Sequence, residues 1–440
     1  MVISMELQTA KGVRDTPPEE KIVKDKVIQT LTRVFELYGF APLETPILER
    51  YETLAAKSGA GEESDALKET FKLTDQGERK LGLRFELTTS LARYVAMNPT
   101  IKMPFKRYEV GQVFRDGPIK LGRYRQFWQC DVDTIGTGSM LADTEFIVLA
   151  LRVFEELGLN VVVKVNNRKI LNGLLEQAGI LGIENQKKAL IAVDKLDKIG
   201  RDGVEQELLT GGFTLQQSTP ILDFVSSTID PDALQNSMTS TEGKEGLAEL
   251  KELFEYLTAL KLMGLKSKVL FDRTLVRGQA YYTGTVMEVY LSDGSFPSSL
   301  AGGGRYDTMI GGFMGGGREI PAVGLSFGLE PIMDILRRKE KLVAKTPARV
   351  FVLPINTVAA SLQFVQELRD SDIPADISLG KKGVSKNLEY ANALGIPLVV
   401  IIGDDELKKG EILLRDMTSG LEERLPRGTA IKKIRTLITQ

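Results

Sequence analysis

FKRYEVGQVFRDGPIKLGRYRQFWQCDVDTIG, residues 105–136, contains two arms that alternate apolar and polar residues. Between them lies a loop rich in turn residues, DGPIKLG. Alternation on both sides of a turn predicts a long antiparallel hairpin. Arg115 closes the first arm, and Arg115, Arg123 and Arg125 surround the loop. Gln129, Asp131 and Asp133 occupy alternate positions of the return arm, so all three can share one face. Guanidinium forks match phosphate oxygens and stay charged, which points to a polyphosphate. Gln129 and Asp133 suit a small polar ligand that carries a donor. Taken alone, the same residues also describe a solvated hairpin, and Tyr124, Phe127 and Trp128 also describe plain packing.

Upstream, residues 20–38 place Ile22, Val23, Val27, Leu31, Val34 and Phe35 at helical spacing, and Gly39 ends the helix. FAPLETPILER follows, extended and marked by Pro42 and Pro46. LGLRFELTTSLARYVA, residues 81–96, reads as a strand turning into a helix with Thr88 or Thr89 as N-cap. Glu86 in that turn suits an ammonium group, or serves only the helix dipole.

Downstream, a helix is expected over 142–157, and residues 166–265 take on helical periodicity throughout, as an insertion. Strand signals return at KVLFDRTLVRG and YYTGTVMEVYL. The glycine-dense stretch from Leu300 to Gly324 contains GGGRYD, which lacks the Lys-Ser/Thr of a phosphate loop and any dinucleotide-binding context. Such glycines let backbone lie against a ligand or another strand, or form a loop. LEPIMDILRRKEK is a helix leading to a charged linker. From Ala348 onward strands and helices alternate as in a small α/β domain.

The chain has 440 residues, room for roughly two to four domains. With 57 basic and 59 acidic residues the net charge is −2, so any nucleic-acid contact must be local. No apolar run reaches membrane-spanning length, and the N-terminus shows no secretory pattern. Cys130 is the one cysteine, which excludes an internal disulfide and cysteine-built metal sites. A reducing cytoplasm is the expected location. There is no histidine, which removes Ser-His-Asp and Cys-His catalysis and histidine-ligated zinc. Chemistry is left to carboxylates, arginines, a hard metal such as Mg²⁺, or the substrate's own groups.

In order along the chain, YGFAPLETPILE, LRFELTTSLARYVA, FRDGPIKLGRYRQFWQCDVD, a helical insertion, LVRGQAYYTGTVME, GGGRYD and VGLSFGLE resemble class II aminoacyl-tRNA synthetases, specifically the histidyl-tRNA synthetase family. The resemblance covers almost the whole length. It implies an α+β fold: an antiparallel sheet flanked by helices, with a helical insertion and a C-terminal α/β anticodon-binding domain. The expected boundaries are 1–335 for the catalytic domain with the insertion at about 166–265, 336–347 for the linker, and 348–440 for the last domain.

By the same resemblance the chain would activate histidine with ATP, Mg²⁺ accompanying it, and transfer the amino acid to tRNA(His). Glu86, Leu87 and Thr88 would receive the substrate ammonium, with Gln129 at the amino acid head. Asp133 and Tyr282 would read the imidazole, and Tyr281 would line the same pocket. Arg115 would grip the ATP α-phosphate, Arg123 would lie toward the distal phosphates, and Arg277 would sit near the α-phosphate and carboxylate. The substrate carboxylate is itself the nucleophile, so no protein base is needed and the lack of histidine is no obstacle. KVIQTLTRVFELYGFAPLETP matches the family's dimer-forming segment, so a homodimer is expected.

Three positions depart from the family pattern. Gln279-Ala280 replace an apolar residue and an aspartate in RGLDYY. Pro331 stands where the third class II motif usually has an arginine packed on the ATP base. Asp133 stands where glutamate is usual. Two other functions are weighed: a regulatory subunit such as the partner of ATP phosphoribosyltransferase, and an amino-acid- or tRNA-sensing paralogue. The first generally lacks a C-terminal domain, which this chain has at 348–440.

Overall fold

A computed structural model describes residues 7–56, 65–119, 124–226, 231–260, 268–276, 281–315, 318–339, 345–380 and 383–439. Two compact units emerge. The first holds residues 1–14 and 27–335, the second residues 15–26 and 336–440.

The chain enters helix Pro18–Leu37, which ends just before Gly39, whose φ of 78° lies in the left-handed region that glycine tolerates. Strands β1 Ala41–Pro42, β2 Leu48–Arg50, β3 Lys72–Thr74 and β4 Lys80–Leu83 follow, then helix Thr88–Met97. β5 Phe105–Phe114 and β6 Gln126–Ile135 form the expected hairpin. After helix Met140–Glu156 come β7 Val161–Asn167, a run of helices over 168–259, β8 Lys268–Phe271, β9 Thr285–Leu291, β10 Ala301–Arg305 and β11 Ala322–Gly328. These build a mixed, largely antiparallel eight-stranded sheet in the order β1-β5-β6-β11-β10-β9-β7-β8, while β2-β4-β3 form a small sheet of their own.

Two expectations change here. The sequence reading assigns no strand to 161–167, yet β7 pairs with both β8 and β9 and carries the helical insertion on its C-terminal end. The glycines of GGGRYD are strand rather than loop: β10 is buried along its whole length between β9 and β11. A side chain at Gly304 would run into the Thr285 carbonyl and the Tyr282 ring. Glycine there gives up β propensity for close approach.

On the back of the sheet, Phe327 of β11 packs between Phe35 and Phe154, with ring centroids 5.5 and 5.8 Å away. Helix Thr88–Met97 covers part of the other face, where Leu91, Ala92 and Val95 meet Ile135, Ile310 and Ala322. Its start differs from expectation. Leu87 is the N-cap with no side-chain cap bond, and the Thr89 hydroxyl instead donates to Glu86 Oε1 at 2.7 Å.

The second unit contains a five-stranded sheet in the order β13-β12-β14-β15-β16, from β12 Val350–Pro354, β13 Ala375–Ile377, β14 Leu398–Ile402, β15 Glu411–Asp416 and β16 Glu422–Pro426. β16 and the short helix Asp404–Lys409 have no counterpart in the sequence reading. Helix Leu329–Lys339 runs through residue 336, where the linker was expected to begin.

Candidate active site

The first unit has a cavity of about 640 Å³ on the face of the large sheet. β6 supplies one wall. Gln129, Asp131 and Asp133 all line it, as the alternation requires. Their partners across β11 are Gly328, Ser326 and Gly324, and Gly302 and Gly304 continue the row on β10. The floor is therefore paved with glycine, broken by one serine. A Cβ at Gly324 would meet Asp133 Oδ1 at 1.9 Å, so any larger residue would displace that carboxylate.

Beside this wall, on the same face of the sheet, lies a buried charge network. Arg107 of β5, fully buried, sits opposite Asp133 in the ladder and places Nη2 at 2.8 Å from its Oδ2. Tyr306 donates its hydroxyl to Asp133 Oδ1 at 2.5 Å. Arg107 is thus an ion-pair partner at Oδ2, and Tyr306 the hydrogen-bond donor at Oδ1. Arg84 Nη1 reaches Glu109 Oε1 at 2.7 Å, and Thr45 donates to the same carboxylate. Burial opposes the Arg107 charge, but Asp133 and Glu109 outweigh it and hold the guanidinium protonated. Burial raises the Asp133 carboxyl, with Arg107 and the Tyr306 hydrogen bond working against the rise. Tyr306 is pushed well above the usual phenol range by burial and Asp133.

Glu86 and Thr88 line the cavity beside the start of helix Thr88–Met97. The Leu87 side chain does not: it is fully buried. Arg115 follows β5 directly. Its Nε donates to the Phe85 carbonyl at 3.1 Å and its guanidinium lies 4.9 Å from the Phe127 ring centroid, which fixes it at the rim. Arg125 instead braces the hairpin loop, 2.9 Å from Asp116. Tyr281 and Tyr282 line the opposite side, with ring centroids 4.7 Å apart. Arg123 and Arg277, with Gln279 and Ala280, lie outside the described residues.

Pro331 also lines the cavity. It is the third residue of helix Leu329–Lys339, where a missing N–H breaks no intrahelical bond. The neighbouring Glu330 accepts the Trp128 backbone N–H at 3.1 Å, joining this helix to β6. Arg107, Tyr306 and Ser326 are site residues that the sequence reading did not single out. Arg107 alternates like any strand residue, and only the β5–β6 register sets it opposite Asp133.

A hairpin-centred antiparallel sheet with an arginine at the rim, a carboxylate-lined wall and a third-motif helix beside it is the catalytic fold of class II aminoacyl-tRNA synthetases. The family model for histidyl-tRNA synthetase matches residues 12–332, and that for the anticodon binding domain matches residues 349–437. The chain belongs to the histidyl-tRNA synthetase family. It is 42% identical to histidine–tRNA ligase 1 of Bacillus cereus, covering 96% of both chains. It is 36% identical to histidine–tRNA ligase of Aeropyrum pernix, covering 97% of this chain and 98% of the other. Among solved structures, histidyl-tRNA synthetase from Nostoc sp. PCC 7120 superposes with a TM-score of 0.86 at 29% identity, covering 98% and 100% of the two chains. An ATP phosphoribosyltransferase regulatory subunit/histidyl-tRNA synthetase from Bacillus halodurans C shares the fold, with a TM-score of 0.73 at 22% identity over 91% and 98% of the chains.

Proposed function

We propose that this chain is a histidine–tRNA ligase: it joins histidine to ATP as histidyl-adenylate and passes the histidyl group to tRNA(His). The observation that carries this reading is the combination on one sheet face of a carboxylate- and amide-lined wall, a glycine floor and an arginine at the rim.

In the first step a histidine carboxylate oxygen attacks the α-phosphorus, and the bond to the departing pyrophosphate breaks. In the second, a terminal hydroxyl of the tRNA attacks the acyl carbon and AMP leaves. Neither step needs an imidazole base. The demand is positive charge where the α-phosphate gathers negative charge, worth about 3–4 kcal/mol for one well-placed donor. Arg115 and Arg277 are assigned that role, with Arg123 toward the distal phosphates. Glu86, Thr88 and Gln129 hold the substrate ammonium, Asp133 with Tyr282 faces the imidazole, and Tyr281 closes the pocket.

Among the described residues no group of three or more acidic or thiol side chains could cage a metal. Mg²⁺ would come in on the ATP phosphates, where it would neutralise charge, with one or two carboxylates assisting. We assign the segment 26–46 to a homodimer contact. Leu37, exposed to 63%, is an open apolar residue in it. Light scattering at micromolar concentration should give twice the chain mass. No described helix is long and apolar enough to cross a membrane. A cytoplasmic location is consistent with this and with a single free cysteine.

The regulatory-subunit reading is disfavoured by the anticodon-binding match at 349–437. ATP–pyrophosphate exchange with the twenty amino acids tests the proposal. Exchange should depend on histidine; tRNA binding without any histidine-dependent exchange would overturn it.

A further inference from the structure

Asp131 lies between the two residues given to the substrate's head and ring, and neither role includes it. It lines the cavity, is 3% exposed, and leaves its Oδ1 without a hydrogen-bond partner among the described residues. Its neighbour on the same face, Gln129, is in the same condition: Nε2 donates to Ser326 Oγ at 2.9 Å, while Oε1 has no partner among the described residues. Ser326 hydrogen-bonds the Asp131 carboxylate and sits opposite it in the ladder, so one hydroxyl holds both side chains. Asp133 differs in its neighbours: Arg107 Nη2 lies 2.8 Å from its Oδ2 as an ion pair, and Tyr306 donates to its Oδ1. Buried acceptors without donors are costly, and a pair of them side by side on a cavity wall calls for a ligand with several N–H donors. A carboxyl turns easily about its last torsion, so either oxygen can meet such a ligand.

We propose that Asp131 determines substrate binding by accepting, together with Gln129, a hydrogen bond from the α-ammonium of the bound amino acid. This rests on the histidine–tRNA ligase reading above. The ammonium has three donors, and Glu86, Gln129 and Asp131 give it three acceptors. A second carboxylate, Glu86, lines the same cavity, so the wall suits a cationic group.

The groups around Asp131 are Arg107 and Glu109 on β5, Asp133 on β6, Ser326 on β11, Tyr306 after β10, and Glu86 before helix Thr88–Met97. Burial raises the Asp131 carboxyl to about 7, with Arg107 opposing the rise and Asp133 and Glu86 adding to it. Below that pH the group is largely neutral and is a poorer acceptor for an ammonium. Histidine binding near neutrality should therefore draw a proton off Asp131.

The test compares wild type with Asp131→Asn in ATP–pyrophosphate exchange from pH 6 to 8. The variant should raise KM for histidine roughly tenfold or more, the scale of one hydrogen bond to a charged group. KM for ATP should be nearly unmoved. Wild-type KM for histidine should climb more steeply than the variant's as pH falls; the substrate's imidazole titrates in both, so the difference isolates Asp131. Imidazolepropionate, which lacks the amino group, should inhibit wild type and variant equally. A KM for histidine within twofold of wild type with parallel pH profiles would overturn the proposal. Weaker imidazolepropionate inhibition in the variant would also overturn it, because Asp131 would then serve the ring. Melting temperature checks folding, and Asp131→Ser replaces Asn if that variant does not fold. Loss of histidine-dependent exchange in wild type itself would sink the ligase reading instead.

Discussion

The two large sheets of this molecule handle burial in opposite ways. The eight-stranded sheet keeps Arg84, Arg107, Glu109, Asp131 and Asp133 nearly out of solvent beneath one face. The five-stranded sheet buries Val350, Val352, Val400, Ile402, Ile412 and Leu414 against Phe364, Leu368 and Ile434, a plain apolar core. An apolar core is stabilised by area removed from water and is non-directional. Buried charge gains little net stability and needs each partner in place. The first sheet accepts that fragility because its face must present fixed charge to a ligand; the second only has to hold its shape.

The largest break in this contrast is expected from Arg107→Ala, which strands Asp133 without its cation while Glu109 keeps Arg84. Denaturant unfolding should show a loss of about 3–5 kcal/mol. A loss below 1 kcal/mol would mean that the network is not what holds the wall. Arg277→Ala and Arg115→Ala should each lower the histidine-dependent exchange rate by about 10²–10³-fold, near 3–4 kcal/mol, with little change in melting temperature. Full activity in either variant would remove that arginine from the α-phosphate.

Asp131→Asn sharpens the contrast through pH. The folded carboxyl titrates near 7, above its unfolded value, so its contribution to stability is present at low pH and is lost as pH rises through about 7. The melting temperature of the variant should therefore gain on wild type between pH 4 and 8. A constant difference would argue against a raised carboxyl. The smallest effect belongs to the apolar sheet: Ile402→Val should cost about 0.5–1.5 kcal/mol and leave exchange unchanged.

Legibility followed the same division. Residues 105–135 are readable because one face turns polar side chains to the cavity and the other packs an apolar core, which imposes period two and puts Gln129, Asp131 and Asp133 together. β14 was readable because LVVII, buried at every position, leaves a continuous apolar run. β10 was not, because glycine carries no side-chain signal and reads as loop. The N-cap at Thr88 or Thr89 was misplaced because a hydroxyl can bond a nearby carboxylate as well as a backbone N–H, and Glu86 was the partner in reach.

The sequence by itself determined the hairpin, the order of motifs that marks the family, and a chemistry without histidine, since these depend on local periodicity and on residue type. Only the tertiary structure decided that Arg107 lies opposite Asp133, that glycines 302, 304 and 324 form a floor, and that Tyr306 donates to Asp133 while Asp131 Oδ1 has no hydrogen-bond partner among the described residues. Those facts depend on strand register and on burial, which are set by segments far apart in the chain and leave no mark in any one of them.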